Sequence, residues 1–258
     1  MVWWQVYLGG GAAILILMTL LWAVSVAARD ASLVDSVWGP GFGLAALAYF
    51  AGGDGDWGRK CLITALVLVW GLRLGVYIFR RNHGRGEDYR YRAWRRQYGA
   101  NYWWISFFQV YLLQGALLWL ISAPLLAAQL GPATPLTALD GLGALVWAAG
   151  FFFEVVGDWQ LARFKADPAN RGRVMDRGLW RYTRHPNYFG DACLWWGLWL
   201  IACGGPGGWL TVFAPALMTF LLVRVSGVAL LEQTLSQRPG YREYVQRTSA
   251  FIPWPPKQ

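Results

Sequence analysis

Seven apolar stretches, each near the length needed to cross a bilayer, constrain this chain more than any other feature. They run over residues 5–28, 35–51, 61–79, 103–128, 139–161, 186–203 and 209–231. A span needs roughly 20 apolar residues, because lipid offers no partner for backbone polar groups and a helix satisfies them within the segment. The first run is uninterrupted. The second is shorter and carries Gly39, Pro40, Gly41 and Gly43, which predicts a kinked or tilted helix. The expected fold is therefore all-α: a polytopic membrane protein, one domain of seven transmembrane helices, with a tail over 232–258. Composition agrees, since charged residues make up 14% of the chain against about 25% in soluble domains. Eighteen Trp and twelve Tyr suit belts at the membrane boundaries. The first run is too long for a cleaved leader and lacks a basic flank, so it reads as a retained span.

Charge placement sets the expected orientation. The net charge of +9 comes from cations in loops: Arg80, Arg81, Arg85, Arg90, Arg92, Arg95 and Arg96, then Arg163 to Arg184, then Arg238, Arg242, Arg247 and Lys257 in the tail. Residues 129–138 and 204–208 carry none. The positive-inside rule then puts both long loops and the tail in the cytoplasm and the N-terminus outside. Arg59 and Lys60 are the exceptions, with Asp54 and Asp56 close by. Cations spread over topological loops do not form a nucleic-acid surface, so that partner class is excluded, and no obligate protein partner is evident. Two histidines and three separated cysteines give no metal-ligating cluster, so no metal is expected.

The chemistry is expected near residues 178–197, where a basic, aromatic segment turns into an apolar helix with Pro186 at its first position. Asn187 and Asp191 share a face one turn inside that helix, as do Glu154 and Asp158 in the fifth span. With Arg73 and Arg224, these polar groups lie within spans, where each ionisable side chain costs roughly 2.5–3.5 kcal/mol on insertion scales. Two readings stay open: ion pairs that hold the bundle together, or a cytoplasm-facing cavity for an anionic, nucleotide-like ligand. Gly141-Leu142-Gly143 lies in an apolar run rather than after a strand, and reads as helix packing, not a dinucleotide fold.

The residues Gly178-Leu179-Trp180, Tyr182, Asn187, Gly190-Asp191, Arg224, and Tyr241-x-x-Tyr244 followed by Pro253 resemble the steroid 5α-reductase family. With Asp35, Trp38, Arg73 and Glu-Asp-Tyr-Arg-Tyr at 87–91, the resemblance is closest to that family's bacterial, DUF1295-type branch and covers nearly the whole chain. It implies a seven-helix enzyme, in a bacterial inner membrane, that uses NADPH to reduce the C=C bond of a 3-oxo-Δ4 steroid or a similar apolar enone drawn from the lipid. Carried over, it places Asn187 and Asp191 at the cofactor, with Asp191 on the nicotinamide carboxamide, and Glu154 and Asp158 at the adenosine part. It gives phosphate, ribose or adenine to Arg163, Tyr182 and Arg224, with Arg73 and Arg85 nearby. Arg184 and His185 line the entrance to the cofactor cavity, whose open side is cytoplasmic. Asp35 and Trp38 are placed at the substrate.

Two departures bear on catalysis. Animal members have Gln-Glu where this chain has Val34-Asp35, and a Tyr where it has Trp70. Protonated Asp35 is the candidate that polarises the ketone, since a buried carboxyl can stay neutral and donate; Trp70 offers only an indole N–H. Arg-His-Pro-Asn-Tyr at 184–188 also resembles S-adenosylmethionine-dependent isoprenylcysteine and phospholipid methyltransferases, which are the rival reading. A non-enzymatic lipid-binding protein or transporter is a further alternative, though no repeat marks a transporter here.

Overall fold

The computed structural model describes residues 2–132, 134–225, 227–228, 232 and 237–257. Those residues form helices joined by turns, with a single isolated bridge between Thr183 and Ser249 and no strand among them. The end of the expected seventh span, 229–231, lies outside the described residues.

Helix α1 (Trp3–Ala28) ends at Arg29, whose backbone is left-handed at φ 54°. A 3-10 turn over Ala31–Val37, capped by the Asp30 carboxylate, feeds α2 (Trp38–Gly52). Helix α3 (Trp57–Asn82) is capped by Asp56, and α4 (Tyr89–Tyr98) by Asp88; each cap accepts a backbone N–H that the helix start would leave unpaired. Then follow α5 (Tyr102–Ser106), a π-helical turn (Phe107–Leu112), α6 (Leu113–Ile121) and α7 (Ala123–Ala127). Helix α8 (Ala138–Ala166) is joined to α9 (Pro186–Cys203) through 3-10 turns at Pro168–Asn170 and Gly178–Arg181. The chain continues through Gly208–Val212, α10 (Phe213–Phe220), a π-helical turn (Leu221–Val225) and α11 (Tyr241–Arg247).

Among the described residues, five helices are long and apolar enough to cross a membrane: Trp3–Ala28, Trp57–Asn82, Tyr89–Ala127, Ala138–Ala166 and Gly208–Val225. The other two expected spans fall short for visible reasons. Helix α2 has 15 residues, and α9 carries Asn187 and Asp191 in its first two turns.

The chain divides into two compact units, Met1–Thr137 with Ala202–Thr211, and Ala138–Ile201 with Val212–Gln258. In the first, α2 crosses α3 with backbone on backbone: a Cβ on Gly39 would come within 2.3 Å of the Gly71 oxygen. Phe42, Tyr49, Trp70, Tyr111 and Leu118 fill its core. The two cations that broke the loop pattern are consumed locally. Arg59 is 2% exposed and donates to Thr134 Oγ1 at 3.0 Å and to the Thr134 and Pro135 carbonyls; Lys60 Nζ donates to Gly53 O at 2.6 Å.

In the second unit α8 and α9 run antiparallel on a heptad of glycines. Gly143 meets Gly197 and Gly150 meets Gly190, with ideal Cβ positions 2.4–2.6 Å from the facing carbonyl oxygens, and Gly157 meets the start of α9 at Asn187 N. Bare backbone at every seventh position lets the two helices approach closely. Gly143 thus packs as the sequence predicted; Gly141 faces open space. This close seam is what brings Glu154 and Asp158 of α8 against the first turns of α9.

Candidate functional site

Glu154 and Asp158 are each 3% exposed. Asn187 Nδ2 donates to Asp158 Oδ1 at 3.1 Å, so one acid of α8 fixes the amide of α9. The Gly190 contact reaches the Glu154 backbone, with a Cβ there 2.5 Å from Glu154 N, and half-buried Asp191 follows directly. The other end of the Asn187 amide has no use: its Oδ1 is buried with no hydrogen-bond partner among the described residues. An unsatisfied buried acceptor costs about 1–3 kcal/mol.

The segment before α9 is locked onto α8 and the tail. Trp180 Nε1 donates to Gly157 O at 3.0 Å, and Gln160 Oε1 accepts from Leu179 N at 3.0 Å. Gly178 sits at φ +58° against the Gln160 amide, a position where a side chain would meet both strain and collision. Thr183 Oγ1 donates to Phe251 O at 2.8 Å, Arg184 N to Ser249 O and Trp254 N to Tyr182 O, each at 2.9 Å, and Tyr244 Oη donates to Trp180 O. Burial holds the Tyr244 phenol well above its usual value.

The expected entrance pair turns inward. Arg184 is 8% exposed; its Nε and Nη2 reach Glu232 Oε1 at 2.8 and 2.7 Å, and its Nη1 donates to Thr248 O at 2.7 Å. His185 Nε2 lies 3.3 Å from the same Glu232 oxygen, and its ring stacks on Tyr188. The hydrogen bond from His185, and after it Arg184, outweigh partial burial and hold the Glu232 carboxyl below its usual range. Arg184 and His185 thus both meet the tail through Glu232, an acid that stands nearly fifty residues later in the chain.

Other arginines remain open to solvent. Arg163 is exposed above the Trp159 ring and, with Asn170 and Arg177, lines a cavity of about 410 Å³. A second cavity of about 670 Å³ shares Arg177 and Gly178 with it and adds Arg181, Arg247 and Lys257. Tyr182 and Arg224 are exposed.

In the first unit, Asp35 is the centre of a separate network. Arg90 Nη2 donates to its Oδ2 at 2.8 Å and Tyr91 Oη to its Oδ1 at 2.6 Å. Gln114 Nε2 approaches Tyr91 Oη at 3.4 Å, and Gln114 Oε1 accepts from Trp38 Nε1 at 2.5 Å. Asp88 also receives Arg90; partial burial pushes its carboxyl up, and the Arg90 hydrogen bonds outweigh that and hold it below the usual range. Both Asp35 oxygens are engaged in this network, one by Arg90 and one by Tyr91. Trp70 is 1% exposed and packs beside Phe42. Arg73 lies over the Tyr77 ring, and Arg85 is exposed. Tyr91, Arg90, Gln114 and Glu232 hold these networks together and are not among the site residues expected from the sequence. Polar groups inside an apolar run pointed to Gln114, and the 87–91 run pointed to Tyr91.

The sequence profile of DUF1295, described as a protein of unknown function, matches residues 21–248. The chain belongs to the DUF1295 family. An uncharacterized protein of Schizosaccharomyces pombe is similar to this DUF1295 member, 27% identical over 92% of this chain and 77% of its own length. No solved structure matches the chain. The matched region contains the Asp35 network and the Asp158–Asn187 and Arg184–Glu232 pairs.

Proposed function

We propose that this DUF1295 protein is a membrane reductase that uses NADPH to saturate the C=C bond of an apolar enone of the 3-oxo-Δ4 steroid type. The observation that carries the reading is the Asp158–Asn187 pair with its unused buried amide oxygen. Two buried carboxylates and an amide oxygen are acceptors, the complement of carboxamide N–H and ribose O–H groups. The solvent-facing arginines around the two cavities are the complement of phosphates. That donor and acceptor division fits a nicotinamide dinucleotide. NADPH, when bound, would supply the hydride for the β-carbon, and the second hydrogen would reach the α-carbon as a proton drawn from water.

The protein's own residues do the rest. Asn187 accepts the carboxamide N–H, with Asp158 holding its orientation; Glu154 and Asp191 complete that acceptor wall. Arg163, Arg177 and Arg181 take the phosphates. Tyr91 takes the place of Asp35 as the group that would bond the ketone oxygen and stabilise the charge developing there, with Asp35 and Gln114 holding the phenol in place and Trp38 beside the substrate. In this reading α2 and α9 also span, giving seven crossings with the N-terminus outside and the cation-rich loops and tail in the cytoplasm.

Thermal unfolding tests it. NADPH is expected to raise the melting temperature of the purified protein, and Asn187→Ala to remove that shift, read against the variant's own melting temperature without cofactor, which falls because Asp158 loses a buried donor. Because buried acids also suit a sulfonium cation, S-adenosylmethionine is measured alongside. Stabilisation by it and not by NADPH overturns the reductase reading in favour of a methyltransferase.

A further inference from the structure

One cavity has no part in that chemistry. It lies in the first unit where α1 ends and α5 begins, encloses about 570 Å³, and counts Ser25, Arg29, Arg95, Tyr102, Trp103 and Ser106 in its wall. Two arginines set its charge. Arg95 is committed: its Nε and Nη2 donate to Glu87 at 2.9 and 2.7 Å, and its guanidinium lies 4.7 Å from the Tyr102 ring centroid. Glu87 also accepts the Ala31 N–H at 2.8 Å, so it is fully engaged. Arg29 is exposed and makes no ion pair among the described residues.

Arg29 is also the one non-glycine residue with positive φ among the described residues. A left-handed helix cap favours glycine, so the Arg29 side chain stands there at a backbone cost of about 1–2 kcal/mol. A second observation lies in the same wall: Tyr102 is 1% exposed, and its hydroxyl has no hydrogen-bond partner among the described residues. The surroundings place the cavity at a membrane boundary. Trp22 donates to Trp103 O at 2.8 Å, Trp103 and Trp104 are 53% and 45% exposed, and the basic helix α4, with Arg90, Arg92, Arg95 and Arg96, leads into them.

We propose that this cavity binds the phosphate headgroup of an anionic membrane lipid. The Arg29 guanidinium is its main donor, since a planar fork grips phosphate oxygens in pairs. The Tyr102 hydroxyl lacks the acceptor that such a phosphate supplies, and the exposed Trp103 ring lies beside the acyl chains. A lipid rather than a soluble phosphate ester is favoured by this apolar, aromatic rim next to the basic helix. The proposal stands independently of the reductase reading.

The test follows melting of the detergent-purified protein with phosphatidylglycerol, phosphatidylcholine or glycerol 3-phosphate, for wild type, Arg29→Gly and Arg29→Lys. Phosphatidylglycerol is expected to raise the melting temperature and the other two to leave it unchanged. Arg29→Gly is expected to melt no lower than wild type without lipid, because glycine suits the left-handed cap. It should nonetheless bind phosphatidylglycerol about tenfold more weakly, the loss expected for one charge-assisted hydrogen bond. Arg29→Lys keeps the charge and recovers part of the binding. Equal shifts from both lipids, or an undiminished shift in Arg29→Gly, overturn the proposal. A full shift from glycerol 3-phosphate does so as well, by making this a site for a soluble ester.

Discussion

Replacing Arg184 with Ala should loosen the C-terminal segment from the start of α9, and the size of the effect follows from what Arg184 holds. It contacts Glu232 Oε1 through two nitrogens at 2.8 and 2.7 Å and Thr248 O at 2.7 Å, and it is 8% exposed. Removing one partner of a buried ion pair costs about 3–5 kcal/mol. Glu232 keeps His185 at 3.3 Å and a side chain 28% exposed, so water absorbs part of the loss and about 3 kcal/mol is expected. For a chain of this size that is a fall of about 6–12 °C in melting temperature. Thermal unfolding in detergent reads it directly. Combining Arg184→Ala with Glu232→Gln should add little further, because the second change removes a carboxylate already stranded by the first. Melting of Arg184→Ala within about 2 °C of wild type would refute the clamp.

Three further outcomes are expected. Gly190→Ala places a Cβ 2.4 Å from Gly150 O and should destabilise by about 1–3 kcal/mol, whereas Gly141→Ala, which faces open space, should be neutral or stabilising by up to about 1 kcal/mol; equal melting of the two variants contradicts the glycine seam. Glu232 and Asp88 have carboxyls held below their usual values, so the unfolded chain takes up their protons first. Their stabilisation is complete above roughly pH 5 and is lost as pH falls through the folded-state values; Glu232→Gln should flatten that acid limb in a melting-versus-pH series. Tyr91→Phe should lower enone turnover about 100- to 1,000-fold, the loss typical of one oxyanion donor, with the NADPH-induced melting shift intact; unchanged turnover would remove Tyr91 from the site.

The sequence announced the membrane class through its long apolar runs and the α9 start through Pro186, because both are local properties of the chain. It also singled out Asp158 and Asn187, since polar groups inside apolar runs need partners, and the fold joins the two. What it could not supply was the partner of each cation. Arg184 stands in a basic, aromatic segment that reads as an anion site, yet the acid that binds it is Glu232, and only tertiary structure brings them together. Arg59 and Lys60 looked like topological exceptions because a sequence does not reveal that nearby carbonyls bury them. Trp70 occupies the position where a phenol is expected beside Asp35; the phenol that the fold brings to Asp35 is Tyr91, from a different helix.

The measurement closest to the central claim is turnover itself. Purified protein is incubated with NADPH and a 3-oxo-Δ4 steroid, and the loss of reduced nicotinamide is compared with the mass of the steroid product. Cofactor oxidation is expected to depend on the enone and to yield a product heavier by two hydrogens with its ketone retained, and Asn187→Ala is expected to lose both. Bound NADPH with no enone-dependent oxidation across a panel of polycyclic and isoprenoid enones, or reduction of the ketone in place of the C=C bond, would contradict it.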